Sequence, residues 1–236
     1  MKKLYAKSEL WFSLLWIIAY VVLFSLADSI STGLGTEKVI TAPLCILMTV
    51  VLLFWIKQND LLSKYGLAKA KVDHKKYLYY LPLLVLISTN LWGGFAMRLS
   101  PLETVLYVIS MIGVGILEEV IFRGLLFKAL CKDSLKTAVI ISSVTFGIGH
   151  IVNLLNGADF LPTLLQIIYA TAAGFLFTIL FHRSGTLLPC IIAHSAINSL
   201  SALGAERSQA LDLIAAAVLT VLSLLYALWI LKKTKN

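Results

Sequence analysis

The sequence predicts an all-α fold, a polytopic membrane helical bundle of about eight transmembrane helices. Three observations lead there. Of the 236 residues, 59% are hydrophobic and only 14% charged, and the mean hydropathy is +0.91. The apolar residues gather into runs close to the ~17–25 residues that a helix needs to cross the hydrocarbon. Helices are favoured over strands because an open sheet leaves backbone groups unpaired in lipid. All five prolines, Pro43, Pro82, Pro101, Pro162 and Pro189, fall near the start of a predicted span, where a missing N–H costs little.

The spans are expected at 10–28, 39–56, 77–97, 101–130, 136–155, 160–181, 186–203 and 209–231. MKKLYAKSEL before the first resembles the charged region of a signal peptide. The apolar stretch behind it is too long, however, and lacks a small-residue cleavage site, so it reads as a retained helix. The loop KQNDLLSKYGLAKAKVDHKK after the second is long and basic and reads as an ordinary loop, with contact to anionic headgroups as the alternative. The fourth to seventh spans carry the polar residues discussed below. The eighth is a plain apolar helix. The three cysteines, Cys45, Cys131 and Cys190, show no paired spacing and read as structural. Without a repeat or linker, residues 1–236 form a single membrane-embedded domain with a motif-bearing core at about 100–203.

Cytoplasmic loops carry the excess of Lys and Arg, so the twenty such residues test the span count. With eight spans, one side receives Lys2, Lys3 and Lys7, the six lysines from Lys57 to Lys76, Lys128, Lys132, Lys136, Arg183, and Lys232, Lys233 and Lys235. The other receives Lys38, Arg98 and Arg207, and Arg123 lies within a span. The expected location is the cell membrane of a bacterium, with both termini cytoplasmic. The net charge of +8 follows the membrane plane rather than one groove-sized face, which excludes nucleic acid as a partner.

Glu118 and Glu119 stand side by side in GVGILEEVIFRGLLF, and intramembrane carboxylates are expensive unless they serve a function. Glu119 and Arg123 are one helical turn apart with the acid first, the favoured order for an ion pair. Glu118 is rotated by about 100° and is left free for chemistry. The bland alternative pairs both acids with Arg123 and a lysine such as Lys128. Further on, Phe146 and His150 in TFGIGH and His194 and Asn198 in AHSAIN repeat the helical spacing. A carboxylate and an imidazole can activate water, and an imidazole with a carboxamide can stabilise an oxyanion. The combination is that of a hydrolase. His74 and His182 lie beside basic loop residues and are read as facing water.

EEVIFR at 118–123, FGIGH at 146–150 and HSAIN at 194–198 resemble the EExxxR, FxxxH and HxxxN motifs of the CAAX protease and bacteriocin-processing family (CPBP, or Abi). The order and the placement on separate spans agree over residues 100–203. The resemblance implies an intramembrane endopeptidase, similar to the type II CAAX prenyl endopeptidases. Carried over by position, Glu118 and His150 activate the water, His194 and Asn198 form the oxyanion hole, and Glu119, Arg123 and Phe146 brace the site. No cofactor is required on that reading. Zinc held by Glu118, His150 and His194 is the alternative, against which a carboxamide at Asn198 weighs slightly. Partners are the lipid bilayer and a membrane-embedded peptide or protein substrate, with roles in bacteriocin immunity, peptide maturation or signalling control. Two rival classes are a small proton-coupled transporter, for which broken helices or repeats are expected, and a non-catalytic scaffold for a sensor or receptor. Glu118 and His150 sit at different depths from the basic loops, which calls for a long or tilted fourth helix, close approach at Gly113 and Gly115, and a cavity open toward the cytoplasm.

Overall fold

The computed structural model describes residues 1–234; Lys235 of the basic tail and Asn236 lie outside the described residues. Among the described residues the main helices are, in chain order, α1 (Glu9–Gly33), α2 (Thr41–Gln58), α3 (Leu81–Ser88), α4 (Pro101–Leu130), α5 (Leu135–Gly149), α6 (Phe160–Ser184), α7 (Leu188–Leu200) and α8 (Gln209–Lys233), with short turns such as Lys2–Lys7 and Val152–Leu155 beside them. Among the described residues six helices are long and apolar enough to cross a membrane: α1, α2, α4, α6, α8, and α5 together with the turn that extends it to Leu155. The chain is a multi-pass membrane protein. Large apolar side chains such as Trp11, Leu47, Phe54, Val105 and Leu225 cover its outer surface, as expected of helices that face lipid on one side and a core on the other.

Local chemistry explains the boundaries. Ser8, Ser134 and Ser208 each accept a hydrogen bond from a backbone N–H in the first turn of α1, α5 and α8, and Ser100 forms a reciprocal capping box with Glu103 at the start of α4. The prolines of α3, α4 and α7 occupy the first helical positions. Gly185 closes α6 at φ +73°, a left-handed position that glycine takes without strain.

Two of the eight spans differ in length from expectation. The 77–97 stretch becomes the eight-residue α3, entered through Leu78, Tyr79 and Tyr80 at positive φ, and α7 has thirteen residues. At ~1.5 Å per residue, α7 is about 20 Å long and does not cross a ~30 Å core. These two short helices are neighbours, tied by Asn90 Nδ2 donating to the Ile197 carbonyl at 2.6 Å. The segments that follow them pair with each other: Ala96 N donates to Leu203 O at 2.9 Å and Ala205 N to Gly94 O at 3.0 Å. This pairing satisfies irregular backbone where lipid could not.

At the centre runs α4. Its residues Glu119–Phe127 form a π-helix in which every residue is buried. Such i→i+5 segments are rare and concentrate at functional sites. α1, α5 and α6 pack around it, and Leu117, Val120, Ile121, Leu125, Phe127 and Phe177 make the apolar core there.

Candidate active site

α4 supplies the acidic part of the site at the junction where its α-helical turns give way to the π-helical ones. Glu118 ends the α-helical part and Glu119 begins the π-helical part. Arg123 Nη1 lies 3.0 Å from Glu119 Oε1, with both side chains fully buried. The contact is an ion pair rather than a well-aligned hydrogen bond, since no guanidinium N–H finds an acceptor among the described residues. The guanidinium instead lies over the ring of Phe146, with Cζ 4.1 Å from the centroid, a desolvated cation–π contact. Gly174 of α6 makes room for it: a Cβ there would stand 3.1 Å from Nη2.

α7 brings the imidazole. His194 Nδ1 is 2.8 Å from Glu119 Oε1, and His194 Nε2 is 3.3 Å from Glu118 Oε2. The ring therefore bridges the two neighbouring carboxylates. α7 can approach this closely because Gly115 has no side chain: a Cβ there would fall 2.7 Å from the backbone nitrogen of Ser195. Ser195 Oγ donates to the Ile112 carbonyl at 3.1 Å and fastens the two helices on the other side. Gly113 plays the same part against Cys45 of α2.

Phe146 of α5 sits edge-on to both imidazoles, 5.5 Å from His150 and 5.6 Å from His194 between centroids. His150 is the residue at which α5 ends. It and Asn198 line the same cavity as Glu118 and His194, and among the described residues neither side chain has a hydrogen-bond partner of its own. The structure thus brings together all seven side chains that stand out in the three motifs, Glu118, Glu119, Arg123, Phe146, His150, His194 and Asn198. It pairs them differently: the imidazole in contact with Glu118 is that of His194, and His194 is tied to Glu119 rather than to Asn198. The cause is the π-helical turn and the close approach at Gly115, neither of which helical phase on a single span discloses. Among the described residues no three His, Cys, Asp or Glu side chains are grouped so as to hold a metal ion. His194 Nδ1 lies against Glu119, which leaves Nε2 as the ring nitrogen that faces Glu118.

One residue of the site was missed from sequence. Tyr20 of α1 donates its phenolic hydrogen to Glu118 Oε1 at 2.7 Å. No motif marks it, and ninety-eight residues separate the two. Nothing in the first span, which also carries Ser13, Ser25 and Asp28, singles it out.

The cavity holds about 540 Å³. It extends from Glu118 toward the end of the bundle that carries Asp28, Lys38, Asn156, Arg207 and Asp212. This is the end opposite the lysine-rich loops, whereas the sequence predicts an opening on the lysine-rich, cytoplasmic side. The reason is steric: the π-helical residues Val120–Phe127 fill the axis toward the lysine-rich end, and the short α3 and α7 leave space at the other. Apolar residues such as Phe24, Met111, Leu165 and Leu219 make its walls.

Comparison with known proteins locates this arrangement. Residues 99–200 match the family described as type II CAAX prenyl endopeptidase Rce1-like. Among curated proteins, the Bacillus subtilis protein named "Putative membrane peptidase YdiL" is 40% identical over 93 residues, 39% of this chain. The match spans about a third of that relative's length. No solved structure matches the chain.

Proposed function

We propose that the chain, whose residues 99–200 match the Rce1-like CAAX prenyl endopeptidase family, is an intramembrane endopeptidase that hydrolyses a peptide bond in a membrane-associated peptide or protein. The observation that carries the proposal is the imidazole of His194 held between Glu118 and Glu119, at the wall of a cavity that also presents His150 and Asn198. Glu119 accepts the Nδ1 proton and fixes the orientation of the ring, so that Nε2, which must carry a second proton to act as a donor, is turned toward Glu118 and the cavity.

In the proposed reaction a water between Glu118 and His150 attacks the scissile carbonyl carbon as its proton passes to Glu118 Oε2. His194 and Asn198 stabilise the oxygen that becomes negative. Collapse of the tetrahedral intermediate breaks the C–N bond while the proton held by Glu118 moves to the leaving nitrogen. Arg123 balances Glu119 and keeps the acidic pair tolerable in a dry interior. Apolar cavity walls suit a substrate that arrives from the bilayer. Bacteriocin immunity, peptide maturation and signalling control are the roles we assign to this class of substrate, in a cell membrane with both termini cytoplasmic.

The test compares the wild-type chain with Glu118→Ala in liposomes that carry fluorescence-quenched transmembrane peptides. Cleavage by the wild type alone supports the proposal, and equal cleavage by both proteins overturns it.

A further inference from the structure

The Tyr20 phenol lies in a helix outside the segment shared with the family, and it makes the shortest contact to Glu118. We infer that Tyr20 is a positioning residue for the reaction proposed above: its hydroxyl holds Oε1 of Glu118 so that Oε2, the oxygen without a hydrogen-bond donor, is the one left to take the proton. The inference rests on Glu118 being the base.

The two carboxylate oxygens have different surroundings. Oε1 accepts the Tyr20 hydrogen at 2.7 Å. Oε2 is buried and accepts no hydrogen bond, with His194 Nε2 3.3 Å away. An oxygen already engaged by a phenol is a poor proton acceptor, and the free one is the better base. Without Tyr20 the side chain of Glu118 can turn about its terminal torsion, which is broad and roughly two-fold, so either oxygen could face the cavity and the reactive geometry would be lost for much of the time.

Tyr20 is itself held firmly. It is only 8% exposed, its ring packs against Phe24 at 4.5 Å between centroids, and α1 lies against the π-helical part of α4. The aromatic body anchors in the core while the hydroxyl reaches a polar partner. Glu118 is its only hydrogen-bond partner among the described residues. A tyrosine placed only for packing would not need its hydroxyl aimed at a buried carboxylate.

The experiment uses the full chain in liposomes with fluorescence-quenched transmembrane peptides that the wild type cleaves. Tyr20→Phe should lower kcat about 10–100-fold, less than the ~10²–10⁴-fold that a well-placed general base itself contributes, and leave KM unchanged. Trp16→Phe, a packing change one turn earlier on α1 and outside the cavity, should leave kcat unchanged. Infrared spectra give a readout independent of turnover: the carboxylate band that disappears in Glu118→Gln should move in Tyr20→Phe. Wild-type kcat in Tyr20→Phe, with Glu118→Ala inactive, would overturn the inference and leave the proposed function standing. An unmoved carboxylate band would also overturn it. If Glu118→Ala still cleaves, the proposed function falls instead, and the band alone decides whether Tyr20 holds the carboxylate.

Discussion

His194 Nδ1 and Glu119 Oε1 lie 2.8 Å apart although seventy-five residues separate them. The same oxygen faces Arg123 at 3.0 Å. Glu119 is therefore shared between a cation within its own helix and an imidazole from α7, so one carboxylate both neutralises the buried charge and aims the ring. Glu118, next in sequence, is left to Tyr20 and to the cavity. This division gives different expectations for the two acids.

Glu118→Gln should abolish hydrolysis, because a carboxamide cannot accept the proton. Expression and thermal stability should stay close to wild type, since shape and the contact with Tyr20 survive. Turnover in liposomes and a thermal melt in detergent measure the two effects.

Arg123→Ala should lower stability as well as activity. The substitution leaves Glu119 buried without its cation, at a cost of about 3–5 kcal/mol for breaking such a pair, and removes the guanidinium from the face of Phe146. Unaltered melting of Arg123→Ala would remove its bracing role.

Gly115→Ala tests the approach of α7 to α4. The added methyl would meet Ser195 backbone at 2.7 Å and Ser195 Oγ at 2.3 Å. The backbone has to move, so overpacking should cost about 1–3 kcal/mol. The displacement falls beside His194, and kcat should drop more than stability alone accounts for. Gly149→Ala, at an open position with nothing within 4 Å, is the control for melting temperature.

His194→Ala and Asn198→Ala should each slow turnover by roughly 10²–10³-fold, the loss typical of one oxyanion donor. Asn198→Ala should leave melting unchanged, since its side chain has no partner to lose among the described residues. Activity should survive exhaustive chelation, with much less than one zinc per purified chain. Loss of activity on chelation, restored by zinc, would replace the water-activation scheme with a metal one.

Membrane-impermeant thiol reagents should reach cysteines engineered at Asn59 and Asp133 only from the cytoplasm, and at Thr36, Asp159 and Glu206 only from outside. The structure places these two groups at opposite ends of the bundle. Reversal of both groups would put the mouth of the cavity on the cytoplasmic side.

Hydropathy, prolines and basic loops were enough to read an all-helical membrane bundle, because the need to bury backbone polar groups in lipid acts on each span separately and leaves its mark along the chain. The same holds for the seven polar and aromatic site residues: a charge or imidazole in an apolar run is conspicuous wherever it finally packs. Pairing is another matter. Whether Glu118 meets His150 or His194 depends on the π-helical turn of α4, on the missing Cβ of Gly115 and on the brevity of α3 and α7, all of which are consequences of helices packing together. Tyr20 was invisible for the same reason, since its partner lies ninety-eight residues away and nothing near it in sequence distinguishes it from a lipid-facing tyrosine. The direction of the cavity, too, was decided only in three dimensions, by which half of the bundle the buried π-helix fills.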